Sequence, residues 1–258
     1  MSSNYRSILN AQGSSFTTNS FTFDGNNDYI DCSSSISTIS LDNEGTFSVW
    51  YKPNTLSSNH NIITLTDRSR SDRYLIFGWS SPTYLNNLFV QLRNGSSSGT
   101  GFLLQTDTIP IAVGVWTHIA LVQDGVSAVI YIDGVAVPQT FLVANNDQKW
   151  LNDFTINEFN IGKLVTSSGS NNFVDGNLDE FAYFSSALSS TDIETIYNNG
   201  VPNNLNDNGL TAPTTWYRMG EAATYAGGAW TLTDQGSGGN NGSSTTLPPE
   251  AISTDVPT

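Results

Sequence analysis

Positive charge is what this sequence has least of. Nine Lys and Arg stand against 23 Asp and Glu, for a formal net charge of −14, and the lysines are Lys52, Lys149 and Lys163 alone. Such a surface repels phosphate backbones and anionic lipids, which argues against nucleic acid as a partner. Cations, neutral sugars and other proteins remain open to it. Charged residues of both signs make up only 12% of the chain, against about a quarter in ordinary soluble domains, so solubility falls to Ser, Thr, Asn and Gly. Cys32 is the single cysteine. That excludes an intrachain disulfide framework and a cysteine-rich metal site, and it reads as a small buried thiol. No apolar run is long enough to span a bilayer, so membrane insertion is not expected. The start, Met-Ser-Ser-Asn-Tyr-Arg, lacks the basic end and apolar run of a secretory signal. A protein made in a host cytoplasm but working outside a cell, as virion proteins do, would show this combination; a cell surface is the alternative location.

What the chain does have is apolar and aromatic material, 38% and 11% of its 258 residues, enough for one large β-type domain. Residues 116–137 carry the strongest sheet signal, with β-branched runs broken at Asp124-Gly125 and Asp133-Gly134, both hairpin-type turns. Apolar residues on both faces place these strands in the middle of a sandwich. Arg68, Arg70 and Arg73, interleaved with Asp67 and Asp72, read as a solvated turn. Residues 173–200 are the landmark. Leu178, Glu180, Ala182 and Phe184 alternate against Asp179, Phe181 and Tyr183, which predicts a strand with Asp179 and Glu180 on opposite faces. The only convincing helix follows, with Ser189 and Asp192 at capping-box spacing, Leu188 and Ile193 at the staple positions, and Gly200 with Pro202 as the stop.

Three stretches resemble one family: Phe-Asp-Gly-x-x-Asp-Tyr-Ile at residues 23–30, Trp-x-His-Ile-Ala through Tyr-Ile-Asp-Gly at 116–134, and Gly-x-Leu-Asp-Glu-Phe at 176–181 with its capped helix. Together they are similar to the laminin-G-like, concanavalin A-like lectin/glucanase jelly rolls. The resemblance implies an all-β sandwich of two antiparallel sheets with one short helix. Residues 16–244 would form the domain, 1–15 an N-terminal arm and 245–258 a C-terminal tail. Trp216-Tyr-Arg-Met-Gly-Glu221 and the Asp-x-Gly-Ser-Gly-x-Asn-x-Gly loop at 234–242 look like the pieces that usually open such a domain, yet here they close it. The C-terminal segment is therefore expected to complete the sheet in a permuted arrangement, which close termini permit. The resemblance also implies a structural calcium, held by Asp179, Asp234 and Asn241, with Asp24, Asn26 and Asp28 as a second cluster; oxygen-rich loops suit that cation.

The signature of a glycosidase is absent. Such enzymes need two carboxylates flanking the scissile bond, and none of Glu44, Glu158, Glu180, Glu194, Glu221 and Glu250 has an acidic partner at strand spacing. His118, in the Trp-x-His strand, reads as a core imidazole. The chain is accordingly expected to be non-enzymatic. Similar arrangements are familiar from tailed-bacteriophage virions, which implies a capsid decoration or a tail or fibre component, docking onto other virion proteins or its own copies. The alternative is a carbohydrate-binding adhesion module for a cell-surface glycan, stacking sugar on Trp79, Tyr84 and Trp150, aromatics beside loop-like sequence.

Overall fold

The computed structural model describes residues 16–83, 85–95, 100–144 and 147–258; the N-terminal arm expected over residues 1–15 lies outside them. Strict alternation sets the architecture. In Asn87–Asn94, Leu88, Val90 and Leu92 are buried while Phe89, Gln91 and Arg93 are half-buried, so one face of the strand turns to a core. The result is a sandwich of two antiparallel sheets. One is eight-stranded and runs Val135–Ala136, Ala128–Ile132, Thr117–Gln123, Gly45–Pro53, Asp175–Phe184, Ser20–Asp24, Ile252–Ser253, with Thr215–Tyr217 also paired to Asp175–Phe184. The other is ten-stranded: Gln139–Ala144, Thr100–Thr106, Asn87–Asn94, Arg73–Ser80, His60–Thr66, Glu158–Ile161, Ile30–Asp31, Gly242–Ser244, Ala229–Leu232, Ala223–Ala226. Between the sheets lies an aromatic core in which the Phe47 ring meets Trp150, Phe159, Phe181 and Tyr183 at centroid distances of 4.6–6.3 Å. Cys32 is buried in that core.

The predicted turns form as their chemistry requires. Asp133 and Gly134 both have positive φ, 48° and 81°, the type I′ hairpin geometry that matches strand twist. In the helix Ser190–Tyr197, the Ser189 hydroxyl accepts from Asp192 N–H at 3.2 Å and the Asp192 carboxylate accepts from Ser189 N–H at 2.9 Å. The helix stops at Asn198, in the left-handed region at φ 48°, two residues before the Gly200 that the sequence suggests; Asn tolerates that conformation. A second, four-residue helical turn at Ile36–Ile39 starts after Ser35, whose side chain makes no capping hydrogen bond.

The two sheets differ in what covers their outer faces. Leu188, Ile193 and Ile196 lay the helix over Ala182, Phe184 and Trp216, closing the outside of the eight-stranded sheet. Outside the ten-stranded sheet the described residues place the small hairpin of Leu164–Thr166 and Gly169–Asn171, whose Leu164 packs on Tyr74 and Ile76. Among the described residues part of that face is uncovered.

The C-terminal segment completes both sheets. Residues 245–258, read from the sequence as a tail, belong to the body instead. Ile252 pairs with Phe21, Leu247 and Ala251 are buried, and Asp255 takes the Trp116 indole N–H at 3.0 Å and an ion pair from Lys52. Low hydrophobicity hid this, because three buried residues, Leu247, Ala251 and Pro257, and one short strand suffice to dock it. Deleting residues 245–258 is predicted to lower stability by about 3 kcal/mol or more, the scale set by re-exposing a buried leucine and one strand pairing. A thermal melt checks it; an unchanged melting temperature would restore the tail reading.

Candidate functional site

The long central strand Asp175–Phe184 breaks its own alternation. Asp179 sits opposite Trp50 and Ala182 opposite Ser48, so Glu180 and Phe181 together face the single residue Val49. This is a β-bulge, and Glu180 adopts φ 49° to make it. The bulge corrects the expectation that Asp179 and Glu180 point apart. Leu178, Phe181 and Tyr183 turn to the core, whereas Asp179 and Glu180 both turn outward. There they meet Glu221, from the permuted segment. Among the described residues this is the one group of three or more acidic, thiol or imidazole side chains whose ligand atoms lie within 4.8 Å of one another.

Donors from three segments converge on this cluster. Glu180 accepts from the Trp216 indole at 2.7 Å and from Arg218 Nε at 3.3 Å. Asp179 accepts from its neighbour's N–H at 2.8 Å and from the Thr17 hydroxyl at 2.8 Å. Glu221 Oε1 accepts from the N–H groups of Thr18 and Asn19. Arg218 donates to Phe16 O at 2.6 Å and lies 3.9 Å over the Phe16 ring. Three carboxylates with one guanidinium leave excess negative charge in a buried place, and burial, reinforced by repulsion from Glu180, raises Asp179 well above the usual carboxylate range. Burial likewise pushes Glu180 up to about 7, partly offset by Arg218 and Trp216. The space beside Glu180, walled by Trp50, Ile196 and Leu205, is about 10 Å³, room for a single water at most. No sugar ring fits in the space beside Glu180, and the contacts to residues 17–19, Trp216 and Arg218 make the cluster a clasp between the central strand and two segments distant in sequence. Sequence reasoning picked out Asp179 and the residues around Glu221 separately; the bulge that joins them has no glycine or proline to announce it.

The proposed calcium ligands are not assembled. Asp234 Oδ1 accepts from Trp216 N–H and Gly236 N–H, each at 2.8 Å, its Oδ2 accepts from Asn240 N–H at 2.8 Å, and the Asn241 side-chain oxygen accepts from Asp234 N–H. Asp179 belongs to the clasp. In the second cluster, Asp24 Oδ1 accepts from Asn26 N–H at 2.8 Å and Asp28 accepts from Asp24 N–H at 3.1 Å, while Asn26 donates back to the Asp24 carbonyl. These contacts give the residues a turn-holding role. Among the described residues neither Asp234 nor the Asp24 and Asp28 pair joins a group of three acidic, thiol or imidazole side chains, short of the six to eight oxygens that calcium takes.

The aromatic assignment also needs correction. Trp79 and Trp150 are each 0% exposed, with their indole N–H groups spent on Leu56 O at 3.0 Å and Tyr183 OH at 3.4 Å. They offer no face to a sugar: Trp79 follows the inward-pointing Leu75 and Phe77 on its strand, and Trp150 packs on Phe47 in the core. Tyr84 lies outside the described residues. His118 is a core imidazole as anticipated, 2.8 Å from Ser48 Oγ and held down to about 3 by burial.

The open part of the ten-stranded sheet carries what those tryptophans do not. A cleft of about 240 Å³ is lined by Asn59, Ser80, Phe89, Gln91, Leu103 and Asn172, with Leu85 at its rim. Phe89 and Gln91 reach it because they alternate outward from the buried Leu88, Val90 and Leu92. The Asn59 oxygen is held by Ser81 N–H at 2.8 Å, and the Gln91 oxygen by the Tyr74 hydroxyl at 3.2 Å. Both oxygens are thus engaged within the sheet, and the amides stand in the cleft lining. An apolar floor with converging amides is the composition of a small-ligand site.

A family model for the concanavalin A-like lectin/glucanases superfamily, of the laminin-G type, matches residues 24–194. The chain belongs to that family. No curated protein matches it in sequence. Among solved structures, it is similar to the carbohydrate-binding module of the Ruminococcus gnavus IT-sialidase bound to α2,3-sialyllactose, at 14% identity and TM-score 0.56, over 71% of this chain and 95% of that one. A Bacteroides ovatus protein designated as carbohydrate binding aligns over 93% of this chain and 61% of its own length, at 15% identity and TM-score 0.58. The NanB sialidase of Streptococcus pneumoniae aligns over 84% of this chain and 33% of its own, at 16% identity and TM-score 0.57. At these identities the likeness is one of fold.

Two measurements follow from the carboxylates. Glu180 binds its proton more tightly folded than unfolded, so between its ordinary value near 4.5 and about 7 the folded state holds more protons, and stability falls as pH rises through that window. Glu180→Gln is predicted to flatten the slope of melting temperature against pH there; an unchanged slope would mean the clasp does not titrate. Separately, adding calcium and then a chelator should leave the melting temperature of the wild-type chain where it was, since a ligand bound only to the native state would raise it. A rise with calcium would contradict the donor assignment given for Asp234, Asn241 and Asp24.

Proposed function

We propose that the protein is a non-catalytic carbohydrate-binding sandwich that takes a glycan in the cleft over Phe89 and Gln91. The observation that carries this reading is the pairing of a half-exposed phenyl ring with three amides on the open face of the ten-stranded sheet. Sugars ask for that pairing, an apolar surface for their C–H faces and fixed donors for their hydroxyls. The fold-level likeness to carbohydrate-binding modules supports it. The non-catalytic part is supported by the closed clasp and by a cleft lining that holds no carboxylate. Attachment to a virion or a cell surface, with virion proteins or further copies of the chain as partners, is a further proposal that rests on the family resemblance together with composition.

Substitution separates the site from the core. Phe89→Ala is predicted to weaken binding to a glycan ligand by about tenfold or more, since roughly 1.4 kcal/mol corresponds to that factor, with a smaller loss of stability than a fully buried aromatic because the ring is only partly packed on Tyr74, Ile76 and Leu164. Trp79→Ala should instead cost about 3–5 kcal/mol of stability. If Phe89→Ala binds as the wild type does, the cleft is not the site.

A further inference from the structure

We infer that the glycan this cleft takes is a neutral one, without sialic acid or uronic acid at the bound position. The inference rests on the glycan-binding reading and concerns the chemistry of the same site. The lining offers amides from Asn59, Gln91 and Asn172, one hydroxyl from Ser80, and the apolar surfaces of Leu85, Phe89 and Leu103; no side chain among them ionises. A carboxylate brought into such a place loses its water and gains no cation, which is costly unless a charge partner is supplied. A hydroxyl or an N-acetyl amide exchanges its water for neutral donors and acceptors of matching kind.

The surroundings lead to the same conclusion. The chain carries a net charge of −14, so a long-range field repels anionic glycans before contact. Four of the described arginines are paired with acids: Arg68 with Glu158, Arg70 with Asp72, Arg73 with Asp67, Arg218 with Glu180. The remaining one, Arg93, shares the outward face of the Phe89 strand but lies beyond Gln91, away from the lining. Its guanidinium sits over the Tyr74 ring at 5.9 Å, and the Tyr74 hydroxyl is the group that holds the Gln91 oxygen. Arg93 thus supports the amide that faces the cleft. The sialyllactose-bound module shares this fold at 14% identity, and the fold leaves the charge of a cleft free to differ.

The test uses the full chain on an array carrying neutral oligosaccharides of glucose, galactose, mannose and N-acetylhexosamines beside their sialylated and uronate-bearing counterparts. The strongest neutral binder is then titrated by calorimetry at low and high salt. Neutral glycans are predicted to bind, an acidic cap on the contacted sugar to weaken binding by about tenfold, and the neutral affinity to change by less than about twofold between roughly 0.05 and 0.5 M salt. Preference for the sialylated or uronate form, lost in Arg93→Gln and weakened by salt, would overturn the neutral assignment and leave glycan binding standing. Binding to no glycan on the array would overturn both.

Discussion

The structure depends on one clasp. The bulge in the central strand turns Asp179 and Glu180 to the same side, and Glu221, Arg218 and Trp216 come from the far end of the chain to meet them. Thr17 and the backbone of Thr18 and Asn19 come from the near end. A chain whose opening pieces have moved to its C-terminus must hold both ends against one strand, and a charge-assisted network in a closed place does so with geometric precision that apolar packing lacks. Leaving three carboxylates to share one guanidinium makes this junction sensitive to proton concentration. It also leaves these acids, the most conspicuous in the fold, engaged with donors from the chain itself.

With the ends secured there, the two sheets acquire different outer faces. The eight-stranded sheet carries the clasp and is sealed by the helix Ser190–Tyr197, whose Ile193 and Ile196 reach Ala182 and Trp216. The ten-stranded sheet keeps a gap between the Leu164–Asn171 hairpin and the turn at Leu85, and there outward-pointing residues meet solvent. The proposed glycan site lies on the face that the described residues leave uncovered.

The sequence made much of this legible, for reasons that can be named. Hairpin chemistry at Asp133-Gly134, the capping box at Ser189 and Asp192, the buried fate of Cys32 and His118, and the permuted C-terminal strands all depend on local residue pattern, and all stand in the structure. What failed was non-local or irregular. Period-two reasoning assigned Glu180 to the wrong face because a bulge shifts every later residue by one, and neither Asp179 nor Glu180 announces a bulge. Trp79 and Trp150 looked exposed because they border loops, yet large aromatics fill this core. Asp234 and Asn241 satisfy backbone N–H groups, a role that cannot be told from metal ligation by residue type. The cleft itself joins residues 59, 80, 89, 91, 103 and 172, which no single motif spans; alternation in Asn87–Asn94 was the one available hint, since it puts Phe89 and Gln91 outward.

The central claim is that the open face of the ten-stranded sheet, and no other surface, receives the ligand. Amide chemical-shift mapping of the isotope-labelled chain during titration with a neutral oligosaccharide tests it most directly. The account predicts shifts concentrated at Asn59, Ser80, Phe89, Gln91, Leu103 and Asn172, saturating together. Shifts centred instead on the helix Ser190–Tyr197, the Asp24 turn or the Glu221 clasp would contradict it.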